Sequence, residues 1–155
     1  MNKLALTATL ALLAVTAPAF AQSELDRLET ATVATGENME AFLNAAAPEL
    51  ATVMPDWTWD AEMRTAATCT IDAIRAEGGD AAVTDYINAM EDFAGQEITS
   101  LQQMATETPV PINPTFAQDT GIACGSAEIA MRRMQESGLM EAMMDPAIMG
   151  RLMGN

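Results

Sequence analysis

The sequence contains no histidine, and Lys3 is its only lysine. Lacking histidine, it has none of the usual zinc sites, no Ser-His or Cys-His catalytic pair, and not the commonest pH switch. Basic residues are scarce, 7 against 22 acidic, for a net charge of −15. Phosphate backbones are bound by clustered Lys and Arg, so no nucleic-acid partner is expected. There are only two cysteines, and no C-x-x-C motif for redox cycling. Beyond the first 21 residues there is no second long apolar run. A membrane span needs about 20 such residues, so no membrane association is expected once the N-terminal segment is removed.

Half of the 155 residues are hydrophobic, too many for a disordered chain and enough for one domain with a real core. Residues 1–21 carry an address. Lys3 precedes the apolar run Leu4–Val15, and Ala19-Phe20-Ala21 is an A-x-A cleavage site. This is the pattern of a secretory signal peptide; the alternative, a membrane anchor, has too short an apolar run. The expected mature chain, residues 22–155, is a single helical domain that is periplasmic or secreted. It keeps six arginines against 22 acids, a balance that favours solubility and could attract basic proteins or cations. In an oxidising compartment an even cysteine count predicts a disulfide between Cys69 and Cys124.

The fold class expected is all-α: a small antiparallel bundle of about four main helices with short C-terminal helical turns. Ser23 with Asp26 starts the first helix, and Leu25, Leu28, Thr32, Thr35, Met39, Leu43 and Ala46 recur along one face. Gly36 threatens to divide it, and Ala47-Pro48 ends it. A second helix is expected from near Thr58 to Gly78-Gly79. A third, capped by Asp80, carries an apolar stripe from Val83 through Leu101 to Met104. Residues 108–114 form a proline-rich linker. Asn113-Pro114 opens a fourth helix, expected to run on past Ala127 and Met134 to Gly138, and Asp145-Pro146 restarts the chain once more. No stretch alternates as a strand does. Small residues beside Cys124 would let the second and fourth helices approach to disulfide distance.

The Met-rich C-terminal segment, residues 138–155, is the most unusual stretch. With Met131 and Met134 just before it, Met140, Met143, Met144, Met149 and Met153 recur at helical spacing. Methionine is flexible and fills irregular cores, but it also makes adaptable binding surfaces. Thioethers can bind Cu(I), for which the candidates are Met140, Met143 and Met144. MEAMMDPAIMGRLM, Met140 to Met153, resembles the short DP-repeat helices of heat-shock co-chaperones. The resemblance covers that segment alone and implies a shape, two Met-rich turns broken at Asp-Pro that form an apolar groove, rather than those proteins' function.

Two other constellations bear on chemistry. Asp56-Trp57-Thr58-Trp59-Asp60 sets both tryptophans beside two carboxylates, residue types that sugar-binding or glycosidase-like sites use. Its plainer explanation is a helix start whose rings cover the end of the bundle. Glu97 falls in the apolar stripe of the third helix; the plainer reading is a partly exposed Glu near the bundle's rim, while a buried carboxylate there would need a partner such as Arg64, Arg75, Arg132 or Arg133, or would be a functional acid. No EF-hand, phosphate-binding loop or nucleophile elbow is present.

The function expected is that of a non-enzymatic exported protein, with no cofactor, that binds another protein. The candidate partner face is Leu139, Met140, Met143, Met144, Ile148, Met149, Leu152 and Met153. The first alternative is a small-ligand or Cu(I)-binding protein, and the second an enzyme relying on carboxylates alone.

Overall fold

A computed structural model describes residues 23–107, 109 and 113–153. The signal segment expected at residues 1–21 and most of the proline-rich linker lie outside them. Among the described residues the fold is all-α: seven helices, one 3-10 turn and no strand. None of these helices is long and apolar enough to cross a membrane.

Helix α1 (Glu24–Ala46) begins where the Ser23 hydroxyl accepts the Asp26 amide. It runs unbroken through Gly36. That glycine is buried because Trp57 lies over it, leaving no room for a side chain. The 3-10 turn Pro48–Thr52 follows. Helix α2 (Ala61–Ala94) opens on Asp60, whose carboxylate accepts the Met63 amide at 2.8 Å.

At Gly79 (φ 74°, ψ −175°) α2 breaks into two arms. Asp26 pairs with Arg64 on the first arm, and its neighbour Arg27 pairs with Glu91 on the second. A straight helix would hold residues 64 and 91 about 40 Å apart. The arms therefore fold back on each other, as expected for two helices meeting at Gly78-Gly79. Only glycine adopts this backbone without strain. Asp80 differs from expectation: its carboxylate accepts Arg75 Nε at 2.8 Å.

The first core lies between α1 and the two arms and holds Leu28, Ala31, Ile71, Ile74, Val83 and Ile87. The second arm stops at Gly95, short of the expected Met104, and α3 (Leu101–Glu107) is a separate helix. Ile98 is still buried, so the apolar period continues across a break in the backbone. Glu97 sits in that break and is exposed, as the plainer reading of its place in the stripe has it, and so needs no buried arginine partner.

The expected fourth helix is also divided. Asn113 caps α4 (Pro114–Ala123). Gly125 then takes a left-handed conformation (φ 79°), and α5 (Ser126–Ser137) begins. Cys124 lies at this joint and is bonded to Cys69 on the first arm of α2, with the Cα atoms 5.6 Å apart. The disulfide is thus a staple between α2 and the α4–α5 corner. It belongs to neither core cluster.

Candidate functional site

Gly138 (φ 87°) ends α5, and α6 (Leu139–Met143) follows at once. Asp145 caps α7 (Pro146–Leu152) by accepting the Ala147 amide at 2.7 Å, with Pro146 in the first turn. The Asp-Pro restart expected from the sequence is present. These two short helices pack back on the end of α1 and the 3-10 turn, where Leu139, Ile148 and Leu152 join Leu43, Ala47 and Leu50 in a second core. Arg151 pairs with Glu49 and ties α7 to the 3-10 turn.

This packing divides the candidate partner face. Leu139, Ile148 and Leu152 are core residues and cannot meet a partner; burial against α1 corrects that part of the expectation. Met143 is half-buried against the second core, and Met149 is half-buried. Met140, Met144 and Met153 are exposed. The three copper candidates divide in the same way, with Met143 against the core and its chain neighbour Met144 in solvent.

The exposed large apolar side chains among the described residues are Ile122, Met131, Met140, Met144 and Met153. All lie in the C-terminal third, while the larger helices α1 and α2 turn their big apolar side chains inward. Met131 and Ile122 were not on the expected face. Met131 stood in the same methionine series, but Ile122 carried no sequence signal, since its direction depends on the break at Gly125.

Around these residues the surface is acidic, with Glu128, Glu136, Glu141 and Asp145 all exposed. All six arginines are in ion pairs within the chain: Arg27 with Glu91, Arg64 with Asp26 and Glu29, Arg75 with Glu24, Asp72 and Asp80, Arg132 with Glu62, Arg133 with Asp60, and Arg151 with Glu49. Thirteen of the 22 acids have no place in these pairs, so the surface presents uncompensated negative charge.

The Asp56–Asp60 segment forms one wall of an open cleft of about 400 Å³, with Arg133 and Glu136 opposite. Arg133 Nη1 donates to the Asp56 and Thr58 carbonyls at 3.1 and 2.7 Å, and Arg133 Nη2 pairs with the Asp60 carboxylate at 2.9 Å. Hydrogen bonds from the Thr58 backbone and hydroxyl hold Asp56 below the usual carboxylate range. The Met63 amide, with a lesser contribution from Arg133, does the same for Asp60. Both shifts run opposite to that of the raised-pKa general acid that glycoside hydrolysis uses. Trp57 packs on Gly36 and Trp59 on the first core, as expected of rings covering a helix start.

Among the described residues, no group of three or more His, Cys, Asp or Glu side chains is placed to hold a metal ion. No protein-family model, curated protein or solved structure matches the chain.

Proposed function

We propose that this chain is an exported, non-enzymatic helical protein that binds another protein through the exposed methionines of its C-terminal third. One observation carries this reading: the exposed large apolar side chains among the described residues all fall between Ile122 and Met153, and four of the five are methionines. Such side chains adapt to a partner's shape because each has three rotatable bonds. The acids around them favour a partner that is apolar at the centre of the contact and basic at its edge. Export, with cleavage after Ala21, is supported by Lys3, the Leu4–Val15 run and the A-x-A site. The Cys69–Cys124 bond suits it too, since disulfides persist in oxidising compartments. An enzyme built on Asp56 and Asp60 is not favoured, because both carboxylates accept backbone amides, which favours the charged form over a proton donor.

Replacing Met140, Met144 and Met153 together by glutamate tests the proposal. The variant is expected to keep its helicity and thermal midpoint, because none of the three side chains is in either core. On size-exclusion chromatography of cell-envelope extracts, the wild type should elute in a larger complex and the variant as the free chain. Identical elution of the two would contradict it.

A further inference from the structure

We propose that Met131, Met140, Met144 and Met153 form a modification site for two-electron oxidants, peroxides and hypohalous acids, which convert them to sulfoxides while the helical core stays folded. Oxidation of these side chains does not require that they meet a partner. A thioether is oxidised according to its access to the oxidant, and the product is polar. With hydrogen peroxide, the sulfur lone pair attacks one oxygen and the O–O bond breaks. Sulfur loses two electrons, and the second oxygen leaves as water after a proton shift. Nothing else is consumed.

The structure sorts the methionines by that access. Met144 is 79% exposed, Met153 62%, Met131 44% and Met140 37%, whereas Met90 is buried in the first core. Met39, Met54, Met134 and Met143 pack against the second core. Met143 and Met144 provide an internal control, being adjacent in sequence and opposite in environment. A sulfoxide at Met144 places its oxygen in water. A sulfoxide at Met143 places it against the Leu43–Leu139 cluster, where an unpartnered polar atom is unfavourable. These four exposed methionines can therefore take up oxygen without disturbing either core, and the apolar surface of the C-terminal third becomes polar as they do.

The test is a time course of the purified, disulfide-intact full chain in hydrogen peroxide, followed by peptide mapping and far-UV circular dichroism. Met144 and Met153 should convert first and Met131 and Met140 next, with Met144 well ahead of Met143. Helicity should stay unchanged until all four are modified, and in urea the differences should vanish. A second sample, M131L/M140L/M144L/M153L, should stay folded and lose the fast phase. Equal rates at Met143 and Met144 in the folded chain, or loss of helicity with the first oxygen added, would overturn the proposal.

Discussion

Trp57 lies over the notch that Gly36 leaves in α1. A Cβ on residue 36 would stand 2.7 Å from Trp57 Cγ and Cδ2 and 3.0 Å from its Cβ. Rotating the indole could move Cγ and Cδ2, but Trp57 Cβ is fixed to the backbone, so its 3.0 Å contact remains whichever way the ring turns. Gly36→Ala therefore sets two effects against each other. Alanine in a helix interior gains up to about 1 kcal/mol over glycine, while overpacking a filled site costs about 1–3 kcal/mol. The clash wins, and urea denaturation should show a net loss of about 1 kcal/mol. A gain in stability would mean that the Trp57 contact is loose.

The disulfide should contribute stability without being needed for the helical core. The loop-entropy model gives about 4 kcal/mol as an upper guide for a loop of this length. Because both core clusters exclude the cysteines, Cys69→Ala/Cys124→Ala should lower the urea midpoint yet keep most of the far-UV helical signal. Loss of all cooperative unfolding in this variant would show that the two cores cannot hold the fold alone.

Part of this architecture was legible in the sequence, because the signals were local. Ser23, Asn113-Pro114 and Asp145-Pro146 mark helix starts through their own side chains and rings, and all three are in place. The cysteine pair followed from its even count and the export expected from residues 1–21. The breaks at Gly95 and Gly125 were missed because apolar residues keep helical spacing on both sides of each. Periodicity reports which face is apolar and is silent about a backbone turn between two stretches. The division of the methionine tail was hidden for a similar reason: leucine and methionine repeat alike, and only packing on α1 decides which is covered. The Gly36–Trp57 contact joins residues 21 positions apart and left no local trace.

That division predicts opposite outcomes for two positions in the same short segment. Leu139 is 1% exposed in the second core, and Leu139→Ala should cost about 2–5 kcal/mol. Met144→Ala should stay within about 0.5 kcal/mol of the wild type. Thermal unfolding of the two variants checks both, and a large loss from Met144→Ala would place that side chain in the core.

Acid should destabilise the fold through identifiable carboxylates. Asp26 is held below its ordinary range by the Ser23 hydroxyl and then Arg64, and Glu91 by Arg27. Asp56 and Asp60 are lowered by the hydrogen bonds that cap their segment. A carboxylate with a lowered folded-state pKa contributes stability above its unfolded pKa, and that contribution disappears as the pH falls through the folded value. Thermal midpoints should thus decline below about pH 4, the unfolded carboxylate range. Asp60→Asn keeps a good capping residue without a titrating group, so its midpoint should decline less over the same interval. Equal declines would assign the acid sensitivity to other groups.

Site-specific photocrosslinking in the living cell asks whether the exposed methionines contact another protein, as proposed. A photoreactive amino acid placed at Met144 or Met153 should yield one discrete protein adduct, while the same group at exposed Thr84 on the second arm of α2 should yield none. Adducts absent from both methionine positions, or equal at all three sites, would contradict the account.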